Sequence, residues 1–168
     1  MSEPCQNLPA VLSTDETCHV LSVSPWNEDH TDLQKILRQT NWRFHRVRSV
    51  SEALKFALKN RPGVIVCERT LPDGAWRDVL SRTAELPDPP VVIVTAEDAD
   101  NALWAEVLNL GGYDVLAKPF DHAEVVRAVS LAWMHWSESL SLRSAGEALR
   151  KSASTAGVQP TTVKTAGV

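Results

Sequence analysis

Gly63-Val64-Ile65-Val66-Cys67-Glu68-Arg69-Thr70-Leu71-Pro72-Asp73-Gly74 is an apolar run, one carboxylate where the run ends, and a turn sequence. Val64 to Cys67, bounded by glycine and by Pro-Asp-Gly, suit a strand buried on both faces, as strands of a helix-covered parallel sheet are. Glu68 then stands at the strand's carboxyl end. In open parallel α/β sheets ligands bind along that edge, so an acid there is either a functional group or the remnant of one.

Outward from this strand the alternation of helix and strand repeats. Upstream, Ser51 opens a helix with Ala53, Leu54, Ala57 and Leu58 on one side, closed by Asn60-Arg61-Pro62-Gly63. Before it, Trp42 to Val47 alternates apolar and polar residues and reads as a strand nearer the sheet edge. Farther back, His19-Val20-Leu21-Ser22-Val23 is a first strand ended by Ser24-Pro25, because proline supplies no ladder donor. Asn27 or a neighbour caps the next helix. Glu28 and Asp29 sit in its first turn, where negative charge suits the dipole, and Leu33, Ile36 and Leu37 form its buried face.

Downstream of Pro72-Asp73-Gly74, a short helix carries Trp76, Val79 and Leu80 to the rigid connector Leu86-Pro87-Asp88-Pro89-Pro90. Val91-Val92-Ile93-Val94 is a second fully apolar strand, ending at Thr95-Ala96. Asp98 or Asp100 caps a helix with Leu103, Val107, Leu108 and Leu110, stopped by Gly111-Gly112. Tyr113 to Ala117 is the last strand, left through Lys118-Pro119-Phe120, and a long helix runs from Asp121 through Val125, Val126, Val129, Leu131, Trp133 and Leu140. Five strand–helix repeats with short connections imply right-handed crossovers. The expected fold is α/β, a flavodoxin-like doubly wound five-stranded parallel sheet of order 2-1-3-4-5 with helices on both faces.

Residues 1–17 read as a flexible arm, 18–145 as the domain, and 146–168, rich in Ser, Thr, Ala and Gly, as a disordered tail. At 168 residues with 43% hydrophobic and 23% charged content, one globular core is expected, and a net charge of −4 gives no general argument for nucleic-acid or membrane binding. No signal sequence or membrane span is legible, so the expected location is cytoplasmic. Cys5, Cys18 and Cys67 lack metal-ligand spacing, and an odd count in an α/β core suits a reducing compartment. His19, His30, His45, His122 and His135 are scattered, so no metal site is expected from them. The absence of a glycine-rich phosphate loop or nucleophile elbow leaves no cofactor and no enzyme activity expected.

The strand order brings Ser24-Pro25, Glu68 and Thr95 beside each other at one edge, with Lys118 from the fifth strand. A carboxylate, a hydroxyl and an ammonium meeting there suit an ion pair with a neutral hydrogen-bond partner. Glu68 followed by Leu71-Pro72-Asp73-Gly74, then Thr95-Ala96, then Gly111-Gly112-Tyr113-Asp114-Val115-Leu116-Ala117-Lys118-Pro119-Phe120, resembles the receiver domain of two-component response regulators. The resemblance spans about Cys18 to Ser139. In that family an aspartate after the third strand takes a phosphoryl group from a histidine kinase, helped by a magnesium ion on paired acids after the first strand. A hydroxyl residue and a lysine then engage the phosphoryl oxygens.

By that resemblance Glu68 fills the phosphoacceptor position, Ser24 and Pro25 replace the acidic pair, Thr95 and Lys118 match, and Val115 stands at the aromatic switch position; Glu28 and Asp29, several residues later, are a displaced substitute for the pair or, as the dipole explains them, ordinary first-turn acids. The implied protein is an atypical, stand-alone receiver in bacterial-type phosphorelay signalling, acting as a protein-interaction module. Glu68 either stands in for a phosphorylated aspartate or is a structural partner of Lys118 in a decayed site. A conventional phospho-accepting regulator and a flavodoxin-like small-molecule binder are the other readings. The resemblance implies a protein partner, namely a histidine kinase, an effector or another regulator, and a homodimer through the fourth helix, fifth strand and fifth helix. No direct nucleic-acid or membrane contact is expected, since no output domain fits after Gly146. Trp133 and Trp136, three apart on the last helix, are candidates for that interface or for core packing. Trp26 is a candidate cover for the vacated metal pocket, and Trp42, Trp76 and Trp104 are expected to be half-buried.

Overall fold

The computed structural model describes residues 17–155. Five strands, β1 (His19–Val23), β2 (Arg43–Val47), β3 (Val64–Glu68), β4 (Val91–Ala96) and β5 (Asp114–Ala117), form one parallel sheet in the order β2-β1-β3-β4-β5. The helices are α1 (Asn27–Leu37), α2 (Val50–Asn60), α3 (Trp76–Thr83), α4 (Asn101–Asn109) and α5 (His122–Thr155). The order is the expected one. Its register pairs Val23 with Cys67 and Glu68 with Thr95, so the carboxyl ends of β1, β3 and β4 lie level.

Two apolar layers hold the sheet. Leu21, Val23, Ile65, Cys67, Val92 and Val94 pack on one side with Ala53 of α2, Trp76 and Val79 of α3, and Leu103 and Val107 of α4. Val20, Val64, Val66, Ile93 and Leu116 pack on the other with Leu33 and Leu37 of α1 and with Val125, Val129 and Ala132 of α5. Successive side chains of one strand thus serve opposite layers, which is why β3 is buried along its whole length. Cys18 and Cys67 are free, buried thiols, and burial pushes Cys18 up to about 12. Cys5 lies outside the described residues, and no helix within them is long and apolar enough to cross a membrane.

Several local expectations change. Trp26, the neighbour of Asn27, takes the cap position of α1 but makes no side-chain cap bond. Ser49 caps α2, upstream of the expected Ser51, by accepting from the Glu52 N–H. Asp100, one of the two expected candidates, does cap α4, accepting from Leu103 N–H at 2.7 Å. Leu58, Leu108, Leu110 and Leu131, placed by spacing on buried faces, are 68%, 39%, 53% and 42% exposed. Each helix contacts the sheet along a narrower stripe than its leucines suggest. The last helix runs unbroken past Gly146 to Thr155, so 146–155 are helical rather than part of a disordered tail, while the rest of that tail, and the arm before residue 17, fall outside the described residues.

The turn after β3 is more structured than a simple loop. Thr70–Leu71 and Gly74–Ala75 form a two-residue antiparallel ladder outside the main sheet. Asp73, at its tip, accepts from the Val50 and Ser51 N–H groups at 2.7 and 3.0 Å and from the Ser51 hydroxyl at 2.8 Å. It therefore satisfies free donors at the start of α2 and ties the β3–α3 turn to that helix. The Ser51 backbone bond, with those of Val50 and the Ser51 hydroxyl, holds the Asp73 carboxyl below its ordinary value. A depressed carboxyl contributes stability above its unfolded pKa and loses it as pH falls through the folded one. Asp73→Asn is expected to lower the melting temperature at pH 7, with the difference from wild type narrowing below about pH 4. Equal melting curves at both pH values would remove this role.

Candidate functional site

β3 delivers Glu68 to the carboxyl edge of the sheet, and β4 delivers Thr95 directly beside it in register. Lys118, one residue after β5, is fixed by its own N–H donating to Ala96 C=O at 3.0 Å. Its side chain then reaches back over the edge. Lys118 Nζ lies 2.6 Å from Glu68 Oε2, and the Thr95 hydroxyl donates to the same oxygen at 3.0 Å. Thr95 is buried, and the Lys118 and Glu68 side chains are 13% and 11% exposed. The sequence-predicted trio is assembled in one contact group.

A fourth member comes from α1. Asp29 Oδ2 and Oδ1 lie 3.1 and 3.3 Å from Lys118 Nζ, and the Ser24 hydroxyl donates to Asp29 Oδ2 at 2.6 Å. The Trp26 N–H donates to Ser24 Oγ at 3.1 Å. The chain Thr95–Glu68–Lys118–Asp29–Ser24 thus closes across the carboxyl ends of four strands, β1, β3, β4 and β5, with two carboxylates sharing one ammonium. Burial pulls the Lys118 ammonium down. The hydrogen bonds and charges of Glu68 and Asp29 outweigh it and hold Lys118 above the ordinary lysine value.

Behind this chain lies His30, 1% exposed. Its Nε2 is 2.9 Å from the Ser24 carbonyl, which only accepts, so that nitrogen carries the proton and Nδ1 accepts from the Ser22 hydroxyl at 2.8 Å. Burial holds His30 below the ordinary histidine value, with Arg46 and Arg48 adding to the effect and Ser24 and Asp29 opposing it. The unfolded chain therefore takes up this proton more readily, and stability falls as pH drops below about 6.5. An NMR titration of the His30 ring is expected to show a midpoint below 6.5, with denaturation free energy declining over the same interval. A midpoint at or above that value would contradict the arrangement.

His30 is the member that sequence reasoning missed, while Asp29 is legible there as a first-turn acid weighed against a displaced acidic pair, not as a partner of Lys118. Asp29 fits helix-dipole complementarity, but its buried carboxylate is tied into the site as well. The signal was present, since Asp29 shares the helical stripe of Leu33, Ile36 and Leu37. Pro25 follows Ser24 without joining the hydrogen-bonded chain. Val115 is buried in β5, opposite Val94. Trp26 is 59% exposed and does not line the mouth of the site, a cavity of about 390 Å³ bordered by Glu28, Asp32, Glu97, Pro119 and Phe120 beside the Asp29–Lys118 pair. Trp133 and Trp136 stack on each other with centroids 5.1 Å apart and close over Gly63 at the amino edge of the sheet. Both are half-buried, at the end of the sheet opposite the site.

Comparisons with known proteins agree with this architecture. The signal receiver domain of an HD domain-containing protein from Pseudomonas fluorescens superposes with a TM-score of 0.71 at 22% identity, covering 79% of this chain and 98% of that one. The response regulator CheY4 of Vibrio cholerae superposes with a TM-score of 0.63 at 16% identity, over 70% and 99% of the two chains. TcrX of Mycobacterium tuberculosis is 38% identical over 91 residues, 54% of this chain but only 38% of TcrX. The two-component response regulator ORR6 of Oryza sativa is 30% identical over 118 residues, 67% of this chain and 69% of ORR6. The model of the response regulator receiver domain matches residues 28–130, a span that runs from α1 through the edge carrying Glu68, Thr95 and Lys118 into α5, and the chain belongs to that family.

Proposed function

We propose that this receiver domain works as a protein-interaction module of two-component signalling whose switch site is held in one charge state, with Glu68 in the phosphoacceptor position. The observation that carries the reading is the double engagement of Glu68 Oε2 by Lys118 and Thr95, at 2.6 and 3.0 Å. In the family a lysine and a hydroxyl residue take hold of phosphoryl oxygens. Here a side-chain carboxylate supplies their acceptor.

The residues present do not fit a magnesium ion. Magnesium demands near-octahedral oxygen ligands at about 2.0–2.1 Å. Pro25 offers no side-chain ligand, the Ser24 hydroxyl is committed to Asp29, and both carboxylates already share the Lys118 ammonium. Phosphoryl transfer relies on electrostatic stabilisation of the moving group. The site instead has two carboxylates to one ammonium, with Glu28, Asp32 and Glu97 around its mouth, which repels an anionic phosphodonor.

The partner is a histidine kinase, an effector or another regulator in the cytoplasm, met through α4, β5 and α5. Trp104, Leu108 and Leu131 on the two helices are exposed and support that surface, which also suits a homodimer. Incubation with acetyl phosphate and magnesium is expected to leave the intact mass unchanged. Magnesium with beryllofluoride is expected to leave the Glu68, Thr95 and Lys118 amide resonances in place. A phosphoryl adduct, or saturable shifts centred on those residues, restores the conventional phospho-accepting reading.

A further inference from the structure

On the far side of His30 from the switch site, Arg46, Arg48, Asn27, Thr31 and Glu52 line an open surface cleft of about 600 Å³ between α1, the end of β2 and the start of α2. Its volume is that of a small-molecule site. Its charge is opposite to that of the chain, two guanidiniums against one carboxylate where the whole sequence carries −4.

Both guanidiniums are available to a ligand. Arg61 and Arg77 elsewhere on the surface are paired with Asp88 and Glu106, whereas among the described residues neither Arg46 nor Arg48 has a carboxylate oxygen within 4.0 Å. Glu52, the acid of the cleft wall, is turned to the Arg48 backbone N–H at 2.7 Å. The Arg48 fork is steadied by donating one N–H to Asn27 Oδ1 across the cleft, which leaves its other donors free. Planar guanidinium forks match oxyanions bidentately, and two of them facing one cleft suit a dianion better than a monoanion.

We propose that this cleft binds a small phosphorylated molecule by its phosphoryl oxyanion, on Arg46 and Arg48 and against the outer side of His30. The proposal does not depend on the role assigned to Glu68. His30 makes the occupancy visible. The groups that face it are Asp29 on its own helix, Arg46 and Arg48 from the end of β2, and the neutral Ser22 and Ser24 of β1. An anion that neutralises the two arginines makes protonation of His30 easier.

The test uses the full chain titrated with inorganic phosphate and with sulfate, a dianion that keeps its charge between pH 5 and 8, followed by amide and imidazole NMR. Saturable shifts of residues 27–31 and 46–48 are expected, and the His30 titration midpoint is expected to rise at saturating sulfate. Arg46→Gln, which breaks no side-chain bond seen in the structure, and the Arg46→Gln, Arg48→Gln pair should weaken binding about ten-fold or more with the fold intact by circular dichroism. Arg43→Gln, on β2 outside the cleft, should bind as wild type does. Linear shifts reproduced by chloride at equal ionic strength, or undiminished binding by the Arg46→Gln variant, overturn the proposal.

Discussion

Lys118→Met is expected to lower stability by about 2–4 kcal/mol at pH 7, a fall of roughly 10 °C in melting temperature. Methionine keeps most of the chain's length and packing. The loss is therefore electrostatic: Glu68 and Asp29, about one-tenth exposed and held together by a single ammonium, are left facing each other without it. The lower part of the range for breaking a buried ion pair applies because the lysine side chain is 13% exposed and water screens part of the charge. The pH dependence separates this mechanism from lost packing. In the wild type, Lys118 is held above its ordinary pKa, so its contribution is complete below about pH 10.5 and is lost only as pH rises through the folded value. In the variant, two close carboxylates resist double ionisation, so one of them takes a proton more readily and the deficit shrinks as pH falls toward 5. Urea denaturation at pH 7.5 and pH 5.5 measures the difference. The paired variant Glu68→Gln, Lys118→Met should recover part of the loss at pH 7.5, since Asp29 keeps its bond from Ser24. A deficit independent of pH, or no recovery in the paired variant, would show that the three charges are not coupled as the distances imply.

How far this site was legible in the sequence follows from what each residue's neighbours reveal. Glu68, Thr95 and Lys118 each end an apolar strand, and strand ends are marked in a sequence by Gly, Pro and the break in hydrophobic run. Once the parallel order is inferred, their meeting follows from register alone. Asp29 could not be reached that way. An acid in the first turn of a helix has an ordinary explanation in the dipole, and only the rotation of α1 about its axis decides whether it faces water or the sheet edge. Residues 29, 33, 36 and 37 share one face, and reading the acid into that stripe rather than before it would have placed it inside. His30 was hidden for a similar reason, because its partners Ser22 and Ser24 belong to the strand and turn preceding its own helix.

The helix faces show where periodicity stops being informative. Leu58, Leu108, Leu110 and Leu131 satisfy helical spacing, yet they border the buried stripe rather than belong to it. In a three-layer α/β domain each helix is covered only by the sheet and its lateral neighbours, so small residues such as Ala53, Ala57, Ala128 and Ala132 take the closest approach. The carboxyl end of α5 teaches the complementary point. A Ser- and Ala-rich stretch has too few large apolar residues to mark a core, but alanine, arginine, lysine and glutamate all favour the helix, and 146–155 continue it with their side chains in solvent.

The tryptophans turn this distinction into a measurement. Their common expectation of half-burial fails for Trp76, which is 1% exposed, whereas Trp104 is 50% exposed and Trp42 is intermediate. Trp76 is the first residue of α3 and the largest fully buried side chain, packed in the layer with Leu71, Val79 and Cys67, and its backbone N–H donates to Arg69 C=O at 3.3 Å. It therefore anchors both α3 and the turn that leaves Glu68. Trp76→Ala is expected to cost about 3–5 kcal/mol, the transfer free energy of the ring plus the cavity left behind. Trp104 contributes mainly a hydrogen bond from its indole N–H to Asp114 at 3.3 Å, so Trp104→Ala is expected to cost about 1 kcal/mol or less. Equilibrium denaturation of the two variants under one condition checks the ranking. If Trp104→Ala proves the more damaging, a partner or second copy must cover α4 in solution. If Trp76→Ala is tolerated, the β3–α3 turn does not depend on the ring beneath it, and Glu68 is positioned by its contacts at the sheet edge alone.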